Sequence, residues 1–277
     1  WGDDELVRWE NTHGDTLQGF IIKPEDYDPG KKYPVLIYFY EKFSDRYHRF
    51  TVPRINHRPT FQVYASDGYI VFLPDIKYTT GNPGFDATDA LTTGARMLID
   101  SGYADPDRIG IQGHSWGGYE TAFIVTQTNM FAAACAGAPV SNMTSAYSGI
   151  RLGTGLARQF QYEKYQSRIG GNLWDSLDNY LKNSPVFEAP KVDTPLLIMF
   201  GDVDEAVPWQ QGIELYLALR RLDKNIVFLQ YRDEPHHPRK IENQLDYAIK
   251  MKEFYDHYLK NGPEPEWLKK GVPYRGK

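Results

Sequence analysis

Six strand-length stretches of this chain are largely apolar and do not alternate with polar residues: 35–40, 69–73, 108–112, 131–138, 195–200 and 226–231. A strand that carries apolar side chains on both faces is buried on both, as in a parallel sheet covered by helices. Parallel neighbours need long crossovers, usually helical. The helix-compatible segments 88–100, 119–127, 210–221 and 243–260 can supply them. In the last of these, Leu245, Ala248, Met251, Tyr255 and Tyr258 step by three or four, which predicts one apolar face. The first thirty residues follow another rule. Residues 6–12 alternate, a turn falls at His13-Gly14-Asp15, and 16–23 returns, as in an antiparallel hairpin. The expected architecture is therefore α/β: a mostly parallel central sheet, helices on both faces and an N-terminal hairpin. The 277 residues suit one such domain over 1–277, with neither repeat nor linker to divide it.

Residues 141–190 break the rhythm. They hold Tyr147, Phe160, Tyr162, Tyr165, Trp174 and Tyr180 but no strand pattern. They read as an insertion over the carboxyl ends of the strands, where such sheets bind ligands. The tail from Asn261 is rich in Gly, Pro and Lys and is expected to be irregular.

The sharpest motif is Gly113-His114-Ser115-Trp116-Gly117-Gly118, between an expected strand and an expected helix. That is the setting of a nucleophile elbow in an α/β-hydrolase fold. The serine there takes a strained backbone conformation, and Gly113 and Gly117 remove the side chains that would clash with it. Gly118 lets the helix pack closely on the strand. A phosphate loop is a poor alternative, because no Gly-Lys-Ser or Gly-Lys-Thr follows.

A serine hydroxyl needs a general base, and in this fold the chain order is serine, acid, histidine. The strand at 195–200 ends in Gly201-Asp202-Val203-Asp204, and the strand at 226–231 leads to Asp233-Glu234-Pro235-His236-His237. Asp202 leaves the strand directly and would serve to cap the turn, which favours Asp204 as the acid. Spacing alone does not separate His236 from His237. His114 is expected beneath the elbow. His13, His48, His57 and His257 fall in turns, loops and the last helix, and read as surface or locally bonded residues. No His, Cys and Asp cluster has metal-ligand spacing, so neither metal nor cofactor is expected.

At these residues the chain resembles the prolyl oligopeptidase family of serine peptidases, from about Leu6 to Leu259. It is most similar to the branch that contains dipeptidyl peptidases and acylaminoacyl peptidases. The family's Gly-x-Ser-x-Gly-Gly elbow matches residues 113–118. Its Gly-Asp-x-Asp-x-x-Val-Pro acid loop matches 201–208, with the second Asp in the triad, which implies Asp204. Its Glu-x-His-Gly stretch matches Glu234-Pro235-His236, with His237 in the glycine's place, and implies His236 as base. The resemblance further implies an oxyanion hole of the Tyr40 hydroxyl and the Trp116 N–H, although Glu41 and Lys42 follow Tyr40 where the family has Gly and Pro. Tyr165, Ile169, Trp116 and Val207 would shape the pocket for the residue before the scissile bond. Ile169 and Trp116 stand where the dipeptidyl branch has tyrosines, so its preference for proline is not carried over. Family members usually carry an N-terminal β-propeller, for which this chain has no room. The start at Trp1 fits an excised or processed catalytic portion. The family's habit of export implies a periplasmic or secreted location.

The expected function is a serine-type peptidase acting on oligopeptides through Ser115, Asp204 and His236. An esterase with the same triad and a noncatalytic binding module are the competing readings; the triad itself does not separate the first two. The net charge is −5 with no basic stripe, and no apolar run approaches the roughly 20 residues of a membrane span, so neither nucleic acid nor membrane is an expected partner. The single cysteine, Cys135, excludes an intrachain disulfide and lies in an apolar stretch that predicts burial. Oligomeric state is left open.

Overall fold

A computed structural model describes residues 2–271. Strands β1 (Asp4–Glu10) and β2 (Thr16–Ile22) pair antiparallel as the expected hairpin. Then follow β3 (Tyr33–Phe39), α1 (Phe61–Ser66), β4 (Ile70–Pro74), α2 (Pro83–Asp100), β5 (Ala104–His114), α3 (Trp116–Gln127) and β6 (Ala133–Gly137). The insertion holds α4 (Met143–Tyr147), a two-residue ribbon of β7 (Ile150–Arg151) and β8 (Leu156–Ala157), α5 (Gln159–Glu163) and α6 (Leu177–Lys182). The chain closes with β9 (Leu196–Gly201), α7 (Gln210–Arg221), β10 (Ile226–Tyr231), α8 (Ile241–Lys260) and α9 (Glu266–Lys270).

The main sheet has the order β1-β2-β4-β3-β5-β6-β9-β10. It is parallel from β4 through β10, and the hairpin joins it through the antiparallel β2–β4 pair. The unbroken apolar runs follow from burial on both sides. Val35, Ile37 and Phe39 of β3 face one core with α2, α3 and α7, whereas Leu36 and Tyr38 face the other with α1 and α8. In β9 the same division separates Leu196, Ile198 and Phe200 from Leu197 and Met199. Cys135 is fully buried in β6, and burial pushes its thiol well above the usual range. Among the described residues, no helix is long and apolar enough to cross a membrane.

Three expectations change. Helix α3 begins at Trp116, directly after the serine, because tertiary packing overrides the poor helix propensity of Gly117 and Gly118. The buried face of α8 is Tyr247, Met251, Phe254, Tyr255 and Leu259, with Leu245 44% exposed, so the stripe is rotated from the one read off the sequence. Both sets follow the helical period, and only contact with the sheet selects between them. The tail forms the short helix α9 where irregular chain was expected, and residues 272–277 lie outside the described residues.

Helix α8 is fastened to the centre of the sheet by Tyr255, whose hydroxyl donates to the Ile111 carbonyl at 2.6 Å from full burial. Removing only that hydroxyl in Tyr255→Phe is expected to cost about 1 kcal/mol. Removing the ring in Tyr255→Ala is expected to cost about 3–5 kcal/mol. Urea unfolding of the two variants beside the parent measures both.

Candidate active site

The elbow forms between β5 and α3. Ser115 sits at φ 61° and ψ −114°, a conformation that costs a non-glycine residue about 1–3 kcal/mol. Two short-range contacts compensate. The Ser115 N–H donates to the Gly137 carbonyl at 2.7 Å, and the Ser115 carbonyl accepts from the Tyr119 N–H at 2.9 Å. The glycines are obligatory on steric grounds. A Cβ at Gly113 would stand 2.2 Å from the Gly117 carbonyl oxygen, and one at Gly118 would stand 2.1 Å from that of Gly137.

Asp204 and His236 arrive on the loops after β9 and β10. Asp204 is 4% exposed. Its Oδ1 accepts the N–H groups of Ala206 and Val207, both at 2.8 Å, and its Oδ2 meets His236 Nδ1 at 2.7 Å. One carboxylate oxygen is thus spent on holding its own loop while the other orients the imidazole. Asp202 instead accepts from the Asp233 N–H and from Gln230 Nε2, which ties the two loops together and leaves Asp204 alone facing the histidine. Two acids that spacing did not single out complete the support. Glu205 accepts from the His236 N–H at 3.2 Å. Glu234, fully buried, accepts from the N–H groups of Arg239 and Lys240 and from Asn243, which folds the histidine loop onto the start of α8.

Tyr40 stands just past β3 with its phenol within hydrogen-bonding reach of Ser115, and its hydroxyl accepts from Gln166 Nε2 at 2.7 Å. Burial raises the phenol above its usual pKa against those two bonds, so it stays protonated and able to donate. Trp116 is the first residue of α3, where main-chain N–H groups lack intrahelical acceptors. Its indole N–H donates to the Tyr78 hydroxyl, which also bonds the buried Glu120 and the Tyr40 carbonyl. The insertion braces the same corner: Gln166 reaches Tyr40, and Arg168 pairs with Glu41 at 3.0 Å. No local motif marks Gln166, Arg168 or Glu120, because each meets its partner across a long stretch of chain.

A cavity of about 250 Å³ opens beside these groups, and Ser115, Trp116, Tyr40, Val207 and His236 all line it. The insertion contributes Arg151, Arg158, Gln161, Tyr162, Gln166 and Ser167, in keeping with its expected place over the strand ends. Tyr165 and Ile169 do not line it. Tyr165 is 66% exposed and packs edge-on against Phe160, and Ile169 is fully buried in the core. Tyr162, in α5, and Gln166, in the segment after it, line the cavity in place of those two.

His57, expected to be a surface or locally bonded residue, lines this cavity, its ring tilted against those of His114 and His237 with centroids 4.3 Å apart in each case. The ligand atoms of these three histidines lie within 4.8 Å of one another, a cluster invisible to sequence spacing because it joins three remote segments. Among the described residues, neither ring nitrogen of the buried His114 has a hydrogen-bond partner. Burial, followed by the neighbouring imidazoles, holds His114 well below its usual pKa, although the nearby His236 main chain opposes this weakly. Burial first, and then His237, push His57 down to about 3, and burial also lowers His237. The unfolded chain takes up these protons below pH 6.5, whereas the folded His57 resists protonation to about pH 3. Their contribution to stability is therefore full above pH 6.5 and falls on acidification through that window. His57→Phe, which keeps a ring in the cluster, is expected to lose less stability than the parent between pH 7 and pH 5, as read from urea midpoints.

Comparison with known proteins identifies the family and the fold. A sequence model described as the prolyl oligopeptidase family matches residues 56–262. The chain is 28% identical over 278 residues to human (Homo sapiens) dipeptidyl peptidase 8, which takes in 92% of this chain and 28% of that protein. It is 25% identical over 275 residues to the uncharacterized peptidase YuxL of Bacillus subtilis, covering 92% and 39%. The chain thus spans less than two fifths of the length of these curated relatives. Among solved structures, a puromycin-hydrolyzing peptidase of Mycobacterium tuberculosis superposes with a TM-score of 0.77 at 21% identity, over 95% of this chain and 40% of that one. The acylaminoacyl peptidase of Pyrococcus horikoshii gives 0.74 at 24%, over 97% and 44%. These two likenesses establish the α/β-hydrolase fold. With the family model matched over most of its length, the chain belongs to the prolyl oligopeptidase family of peptidases.

Proposed function

We propose that this chain is the catalytic portion of a serine peptidase that cleaves oligopeptides through Ser115, His236 and Asp204, and that an N-terminal propeller accompanies it in the full-length protein. The observation that carries the reading is the 2.7 Å contact between Asp204 Oδ2 and His236 Nδ1 on the wall of the cavity that holds the strained Ser115.

Ser115 Oγ attacks the scissile carbonyl carbon while His236 Nε2 accepts the hydroxyl proton. Asp204 holds the tautomer that leaves Nε2 free and stabilises the imidazolium. The developing oxyanion receives the Trp116 N–H and the Tyr40 hydroxyl. The carbon–nitrogen bond then breaks, and the amine leaves with the proton from His236. Water gives a proton to His236, attacks the acyl-enzyme, and releases the acid with Ser115 restored.

A fluorophosphonate probe read by mass spectrometry is expected to label Ser115, and Ser115→Ala and His236→Ala should abolish that labelling. Absence of labelling on folded protein would overturn the reading. On chromogenic dipeptide amides, Tyr40→Phe is expected to lower kcat on the order of 10²–10³-fold, as for loss of one oxyanion donor. Asp204→Asn is expected to lower it on the order of 10⁴-fold, because the amide favours the wrong histidine tautomer. Hydrolysis of esters with none of amides would replace peptidase by esterase.

A further inference from the structure

Among the described residues, the cavity beside Ser115 is lined by two arginines and by no acidic side chain. Arg158 is 1% exposed, so its guanidinium has given up nearly all its water. One terminal nitrogen donates to the Ala206 carbonyl and the other donates to the Tyr162 hydroxyl at 3.1 Å, while Nε has no partner. Its charge also lies over the Tyr162 ring, 5.5 Å from the centroid. Arg151 donates to Gln161 Oε1 at 3.3 Å. Among the described residues neither arginine forms an ion pair, whereas Arg168, on the same insertion, is paired with Glu41.

A buried guanidinium without a counter-charge is costly, because it cannot shed its proton to escape the penalty. A brace for the acid loop would need only a neutral donor to the Ala206 carbonyl, and a neutral group would carry a far smaller desolvation penalty. A cation kept at that point suits an anion that arrives later. The guanidinium fork fits a carboxylate and forms its strongest hydrogen bonds with one. The setting sharpens the argument: the whole chain has a net charge of −5, yet this cavity wall is cationic. A cleft lined with one sign of charge concentrates ligands of the other. The group that bonds to Ser115 is the acyl part of the substrate, so it is the acyl part that shares the cavity with the arginines.

We propose that this cavity recognises a carboxylate on the acyl side of the scissile bond, so that the enzyme takes peptides with Glu or Asp immediately before the cleavage point. Arg158 binds the carboxylate, and Arg151 adds attraction at the same wall. The proposal rests on the serine-hydrolase reading above and adds the substrate class to it.

Diphenyl phosphonates carry the acyl-side side chain on the phosphorus reagent that bonds to the serine, so their labelling rate at Ser115 reads this preference. The Glu-type phosphonate is expected to label the protein at least about tenfold faster than the isosteric, uncharged Gln-type reagent. Arg158→Met should bring the two rates together, and Arg151→Gln, at a less buried position, should lower their ratio in part, with circular dichroism confirming that each variant is folded. Equal Glu and Gln rates in the parent would overturn the proposal, as would a ratio unchanged in both folded variants. If Arg158→Met fails to fold, Arg151→Gln alone decides. The simple fluorophosphonate separates the two levels: labelling of Ser115 without a Glu preference sinks only this inference, and no labelling by any reagent sinks the hydrolase reading with it.

Discussion

The Ser115 N–H bonded to the Gly137 carbonyl at 2.7 Å is the contact on which the site depends. It fastens the bend between β5 and α3 to the neighbouring strand β6 and holds the serine at a positive φ that its side chain disfavours. The strain persists because the surroundings allow nothing else. Helix α3 packs so closely on β5 and β6 that a single extra carbon at Gly113 or Gly118 would strike main-chain oxygen. The hydroxyl is thereby placed at the start of a helix, beside Tyr40 and above the strand ends, before any substrate arrives.

The histidine loop is built on a different principle. Its geometry is held by acids that are consumed in hydrogen bonding: Glu234 folds the loop, Glu205 takes the His236 N–H, and Asp204 divides its two oxygens between its own loop and the imidazole. Beside His236, the rings of His57, His114 and His237 cluster, and desolvation is the first cause that lowers the pKa of each. The charges that remain on the cavity wall are those of Arg151 and Arg158, both from the insertion. The sheet loops carry Ser115, Asp204 and His236, and the insertion supplies the positive charge of the cavity wall.

The sheet was legible because burial on both faces leaves long apolar runs, and β10 spans the same residues, 226–231, as its run. The elbow and the acid loop were legible because each is a local motif in which neighbouring residues must satisfy one another. The start of α3 was hidden by glycines that a helix disfavours and a close contact demands. The α8 face was misread because two overlapping stripes fit the same period. Tyr165 and Ile169 were assigned to the pocket by likeness of position, but a turn of the insertion after α5 sends one to solvent and the other to the core.

By itself, the sequence determined the α/β architecture, the strained serine and the order of acid and base, since these rest on periodicity and on steric rules acting over a few residues. Only the tertiary structure decided which acid meets which histidine, that His57, His114 and His237 cluster, and that Arg158 is buried on the cavity wall it shares with Ser115, with no ion-pair partner among the described residues. These are contacts between segments tens to more than a hundred residues apart. Their energies depend on burial and distance, neither of which exists until the chain has packed.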